Sequence, residues 1–251
     1  MKILDDGIEL DAIQTLPDNY REGEKFPLLI LIHGFTGHKE EDHLMAIAEG
    51  VRSIGFATLQ VDMYGHGMSG GSFCEHTLLK WINNTITIVD YARKQDFVSD
   101  IWLCGHSQGG CDVMLAAPIV KDRIRGILPL SPAWHIPQGA RDGLLLSYAF
   151  DPENLPEGIT LQDGEILGGN YLRVARTLDA EAAIDGYDGP VLIVHGTADE
   201  SVPMEWGERA AKRYKNATFI PIEGDTHCFD YHTDRLRDAV RDWLAQHNKE
   251  L

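Results

Sequence analysis

Apolar residues in this chain fall into short unbroken runs, separated by stretches in which they recur with helical period. The runs cover 27–32, 57–61, 101–104, 126–130, 190–194 and 217–222. Strands buried on both faces read this way, whereas a half-exposed strand alternates apolar with polar. Helical spacing predicts helices over 43–54, 77–94, 203–215 and 233–247. Another helix follows Ser107, where Val113 to Ala117 are all apolar and Pro118 lies near the end. In the last helix Leu236, Val240, Trp243 and Leu244 form one stripe with charges elsewhere, as a helix docked on a core requires. Residues 3–13 read as an opening hairpin that turns at Asp6-Gly7. Strand and helix alternate throughout. The expected class is therefore α/β, a mostly parallel central sheet with helices on both faces.

One interval breaks this rhythm. About sixty residues separate Leu130 from Pro190, far more than a simple crossover needs. The interval holds Pro132, Pro137, Pro152 and Pro156, a Gly168-Gly169 pair and scattered aromatics. It reads as a cap inserted over the carboxyl edge of the sheet, at about 132–180, within a single domain spanning 1–251.

Composition narrows the partners. A net charge of -17 argues against nucleic acid or an anionic membrane as the main partner. No apolar stretch approaches the ~20 residues of a membrane span, and the polar start Met1 to Gly7 is unlike a signal peptide. The expected location is cytoplasmic. Cys74, Cys104, Cys111 and Cys228 show no C-x-x-C spacing, so neither a disulfide scaffold nor a redox pair is expected. Cys104 reads as a packing residue, whereas Cys228 is set apart by its neighbour His227.

The chemistry starts at Gly105-His106-Ser107-Gln108-Gly109, a G-x-S-x-G nucleophile elbow between an apolar run and a helix. Serine needs an adjacent base, which a third group orients. In this architecture acid and base follow the serine in that order, on loops after late strands. Asp199, after the run 190–194, is the acid; Glu200 points elsewhere and Asp188 lies before the strand. His227, on the loop between the last run and the closing helix, is the base. His232 falls at the start of that helix and His247 near its end, and Asp225 shapes the loop. Backbone N–H groups of Gln108 and Phe35 are the expected oxyanion donors, and the Phe35 ring is placed to wall an acyl pocket. His33, His66 and His106 read as structural hydrogen-bonders. No H-E-x-x-H or clustered ligand spacing occurs, and Gly65 to Gly71 lacks the Lys-Ser/Thr of a P-loop. Neither metal nor cofactor is expected.

Over nearly its whole length the chain resembles the α/β-hydrolase superfamily. The resemblance rests on His33-Gly34-Phe35, Asp62 to Ser69, Gly105 to Gly109, His195 to Asp199 and Gly224 to His227. Within it the chain is most similar to the bacterial cinnamoyl or feruloyl esterases. That likeness rests on His33 to His38, Asp62 to His66, Gly105 to Gly110, Ser131-Pro132-Ala133 and Gly169 to Ala175. It implies a serine carboxylesterase acting on hydroxycinnamate esters, with Ser107, Asp199 and His227 as triad and Phe35 and Gln108 as oxyanion donors. It also implies that Tyr171 in the cap lines the aromatic acyl pocket. Where some relatives place an Asp or a Trp against the phenolic ring, this chain has Gln138-Gly139 and Leu161-Gln162. The expected partner is a small-molecule ester with an aromatic acyl group, and a homodimer is allowed. Alternatives are another acyl hydrolase (monoacylglycerol lipase, thioesterase or peptidase) and a non-catalytic receptor on the same fold.

Overall fold

In the computed structural model, which describes residues 1–248, each apolar run is a strand. The chain opens with β1 (Lys2–Asp5) and β2 (Ile8–Thr15), a hairpin turning at Asp6-Gly7. It continues through β3 (Phe26–Ile32), α1 (Asp42–Arg52), β4 (Ala57–Val61), α2 (Leu78–Ala92), β5 (Val98–His106), α3 (Gln108–Val120) and β6 (Gly126–Leu130). Then come α4 (Ile136–Asp142), the hairpin β7 (Leu144–Leu145) and β8 (Tyr148–Ala149), and the hairpin β9 (Gly158–Thr160) and β10 (Ile166–Gly168). Helices α5 (Asn170–Ala175) and α6 (Ala180–Asp185) follow, then β11 (Val191–Gly196), α7 (Glu205–Arg213), β12 (Ala217–Ile222) and α8 (Thr233–His247). Residues 249–251, the end of the expected domain, lie outside the described residues.

Eight strands form one sheet in the order β1-β2-β4-β3-β5-β6-β11-β12. From β4 to β12 every pairing is parallel; β1 and β2 are antiparallel. Successive residues of each inner strand serve opposite faces. Leu28, Ile30, Ile32, Ile101 and Leu103 join one core, and Leu29, Leu31, Trp102 and Cys104 join the other. The first core is covered by α2, α3, α6 and α7, the second by α1 and α8. The unbroken runs are thus the signature of two buried faces. The α8 stripe of Leu236, Val240, Trp243 and Leu244 is buried as its spacing requires.

The structure extends two sequence readings. Strand β5 reaches from Val98 to His106, beyond the apolar run, because Val98 pairs with Phe26 before the register shifts at Leu28. The segment between β6 and β11 also contains two short hairpins and three short helices, too brief to leave a periodic signal. Its apolar side chains, among them Trp134, Ile159, Leu167, Tyr171, Leu172 and Ile184, are continuous with the larger core. The insert is therefore clamped to α2 and α3. No described helix is long and apolar enough to cross a membrane.

A buried ion cluster joins the loops after β3 and β4. Lys39 Nζ lies 2.7 Å from Asp62 and 2.8 Å from Asp11, with its side chain only 5% exposed. Asp62 also accepts the backbone N–H groups of Lys39 and Met68, which orders the turn through Gly65-His66-Gly67. Removing one partner of such a cluster leaves charge buried without compensation. We expect Lys39→Met to lower the unfolding free energy by about 3–5 kcal/mol, read from the urea midpoint. A loss below about 1 kcal/mol would contradict this account.

Candidate active site

All the parallel strands end at one edge, and the loops that leave them converge on Ser107. The serine sits between β5 and α3 with φ 54° and ψ -115°, a conformation rare for a residue with a side chain. Its N–H donates to Leu130 O at 2.9 Å, and its carbonyl accepts from Cys111 and Ala133 at 3.0 Å each. A Cβ on Gly105 would strike the Gly109 carbonyl, and one on Gly109 would strike the backbone of His33 and Ile32. The two glycines of the motif are therefore demanded by close approach of three backbones. Of the six non-glycine residues with positive φ among the described residues, four (Thr36, Ser107, Ser131 and Phe229) occupy loops at this edge.

The structure brings Ser107, His227 and Asp199 together. His227 Nε2 is 2.9 Å from Ser107 Oγ, and His227 Nδ1 is 2.7 Å from Asp199 Oδ2. The carboxylate fixes the tautomer: Nδ1 donates to Asp199, which leaves Nε2 as an acceptor facing the hydroxyl. Asp199 has no exposed side-chain surface and also accepts the N–H groups of Ser201 and Val202 at 2.9 and 2.8 Å. His195 Nε2, whose N–H donates to Val202 O at 2.8 Å, also lies 3.1 Å from this carboxylate; sequence reasoning missed it, although it stands four residues before the acid. Burial acts to raise the Asp199 pKa, but the hydrogen bonds from His195 and His227 outweigh it and hold the carboxyl well below its usual range. Asp225 is buried and accepts from Thr226, Tyr231 and His232, so it shapes the His227 loop.

Phe35 and Gln108 flank the serine. The loop after β3 runs so close that a Cβ at Gly34 would lie 3.1 Å from Ser107 Cβ. Gln108 opens α3, where the first backbone N–H groups have no acceptor in the helix. Among the described residues, neither the Phe35 nor the Gln108 backbone N–H donates to another protein group. Tyr171 is fully buried, and its hydroxyl donates to Gln108 Oε1 at 2.6 Å. It packs edge-on against Phe35, with ring centroids 6.0 Å apart. Its hydroxyl is thus committed to Gln108, a link invisible in the sequence because 63 residues separate the two.

Three further histidines near this edge each bond a backbone carbonyl. His33 Nδ1 bonds Gly34 O at 2.8 Å and its Nε2 accepts from Met63 N at 3.0 Å, so it bridges the loops after β3 and β4. Burial lowers its pKa to about 3. His66 bonds Tyr64 O, and burial lowers it to about 4. His106 bonds the carbonyl of His227 at 2.9 Å, and burial pushes its pKa well down. Burial pushes the Cys228 thiol up to about 11, far from a reactive thiolate.

A cavity of about 580 Å³ opens beside this cluster, between the Phe35 loop, the acid loop at Glu200-Ser201 and both insert hairpins. Phe35, Leu146, Tyr148 and Leu161 supply its apolar wall and Gln162 a polar group. Gln138 is not part of it. That side chain lies on another face of the insert and bonds Asp142.

The family model described as "Serine aminopeptidase, S33" matches residues 23–152, more than half of the chain, and one described as "TAP-like protein" matches 172–250. The chain is an α/β hydrolase of this family. The stretch between the two matched regions, 153–171, falls in the insert and takes in the β9–β10 hairpin and Tyr171. A structure of Est1E from Butyrivibrio proteoclasticus with ferulic acid bound is 51% identical, with a TM-score of 0.97 over 99% of both chains. That match therefore includes the insert. Protein ABHD12B of Homo sapiens is 24% identical over 88% of this chain, and the mitochondrial palmitoyl-protein thioesterase ABHD10 of Mus musculus 25% identical over 75%. The matches span only 61% and 64% of the length of those two curated relatives.

The depressed Asp199 pKa has a sign. Its stabilising contribution is present above the unfolded value of about 3.9 and fades as pH falls through the lower folded value. We expect Asp199→Asn to lower Tm most above about pH 5, with the gap from wild type closing below about pH 4. A gap constant across that range would contradict the assignment of Asp199 as the buried ionised group.

Proposed function

We propose that this α/β hydrolase is a serine carboxylesterase that cleaves hydroxycinnamate esters through an acyl-enzyme. The observation that carries the reaction is His227 bridging the strained Ser107 and the buried Asp199, which also accepts the Ser201 and Val202 N–H groups. Ser107 Oγ attacks the ester carbonyl carbon while His227 Nε2 takes the hydroxyl proton. The imidazolium is held by Asp199, and the oxyanion by the Phe35 and Gln108 N–H groups. Collapse of the tetrahedral intermediate breaks the carbon–oxygen bond, and the alkoxide leaves with the proton from His227. Water, deprotonated by the same nitrogen, then releases the acid and restores Ser107.

The acyl class is supported by the full-length likeness to Est1E with ferulic acid bound, which extends through the insert. We read the insert as a cap whose two hairpins border the cavity between the Phe35 loop and the loop after β11. Phe35 and Tyr148 offer aromatic walls there, and Gln162 offers a hydrogen-bonding group for a ring hydroxyl. Tyr171 serves this reading as a positioning residue that holds Gln108, in place of the direct substrate contact expected from the sequence.

Ser107→Ala is expected to lower kcat for methyl ferulate by roughly 10⁴-fold or more with the fold retained by circular dichroism. Near-full turnover in that variant would overturn the serine mechanism. For the acyl class, kcat/KM for methyl ferulate is expected to exceed that for long-chain acyl esters and thioesters by at least about tenfold. The reverse order would leave the serine mechanism standing and reject the hydroxycinnamate assignment.

A further inference from the structure

Behind the triad, two buried histidines and a carboxylate that the ester chemistry does not use face one another. Glu41 immediately precedes α1, His43 lies in its first turn, and His106 is the last residue of β5. Glu41 Oε2, His43 Nε2 and His106 Nδ1 all lie within 4.8 Å of one another. Among the described residues, none of these three atoms has a hydrogen-bond partner, although each is buried. His43 and His106 are 3% and 2% exposed. Unpaired acceptors and donors at such depth are costly, so a group with no counterpart in the chain should bind among them.

The tautomer of His106 identifies that group. Its Nε2 faces the carbonyl oxygen of His227 at 2.9 Å. A carbonyl only accepts, so Nε2 carries the proton and Nδ1 presents a bare lone pair to the cluster. That arrangement, with one ring nitrogen free and the other donating to a backbone carbonyl, is how metal-ligating histidines are usually oriented.

We propose that Glu41, His43 and His106 bind a divalent transition-metal ion, with zinc the best fit, at a structural site beside the triad. Two imidazole nitrogens and one carboxylate oxygen suit Zn²⁺ in tetrahedral geometry, with water as fourth ligand. Ligand atoms about 2.0–2.1 Å from zinc stand roughly 3.3 Å apart. Glu41 Oε2 and His43 Nε2 are now 3.9 Å apart and all three ligand atoms lie within 4.8 Å, so the side chains need to close by up to about 1.5 Å. The Glu41 carboxylate supplies negative charge that offsets the positive end of α1. A neighbouring cavity of about 350 Å³, bordered by Glu41, His43, Cys228 and Asp230, provides the entry path. The ion takes no part in ester cleavage. It ties α1 to β5, and through His106 Nε2–H it braces the backbone of His227.

The test is a Co²⁺ titration of tag-free, chelator-treated full-length protein, followed through visible d–d absorption, then displacement with Zn²⁺. The expected result is one equivalent of Co²⁺ with the intense bands of a tetrahedral site, lost on adding Zn²⁺. Saturating Zn²⁺ should also raise Tm by roughly 5 °C. Glu41→Gln and His43→Gln, each folded by circular dichroism, should weaken Co²⁺ binding at least about 100-fold. Two results overturn the site: no tetrahedral spectrum with the wild-type chain, as a pocket holding only water would give, or a spectrum unchanged in both variants. The wild-type titration decides the question even where a variant fails to fold.

Discussion

The organising constraint is the contact of three backbones at the elbow. Gly105 ends against Gly109, Gly109 packs on the carbonyls of Ile32 and His33, and Ser107 is pinned to Leu130 and Ala133. These contacts bring the ends of β3, β5 and β6 together and hold the serine in a backbone conformation it would rarely adopt alone. The cost of that strain is met by the two cores, which fasten the strands from both faces. Every other part of the site is measured from this point.

Electrostatics then make the site directional. Asp199 accepts three hydrogen bonds and lies 3.1 Å from His195 Nε2, so its charge survives burial, and the histidine it orients can present only its unprotonated nitrogen to Ser107. The other histidines near the edge (His33, His66 and His106) are held neutral by burial and spent on backbone hydrogen bonds. One fold thus keeps several imidazoles within a few ångströms while leaving a single one in a position to move a proton. The same economy of placement puts Glu41, His43 and His106 around a spot none of them can satisfy alone.

The insert shows how reach and rigidity are divided. Tyr171 and Leu172 anchor it in the main core, and the Tyr171 hydroxyl grips Gln108, so its base cannot drift from the serine. The hairpin tips at Leu146 and Gln162 instead stand at the cavity mouth. These cavity-lining residues sit on short turns, where substitutions leave the core undisturbed.

Local pattern determined the strands, the flanking helices and the elbow, because burial on two faces and a strand-turn-helix glycine pair leave their mark within a few residues. It also singled out Asp199 and His227, which the fold brings beside Ser107, since loop position after a given strand is a property of chain order. What lay beyond it were contacts between distant segments: the Tyr171–Gln108 bond, the docking of the insert, and the meeting of Glu41 and His43 with His106. No ligand spacing marks that last cluster, because its members come from separate elements and meet only when α1 packs on the sheet. His195 stood near enough to be read as a partner of Asp199, yet its role depends on how the loop folds back over the end of β11. Periodicity and turn chemistry are written residue by residue, whereas these pairings exist only once the sheet has closed.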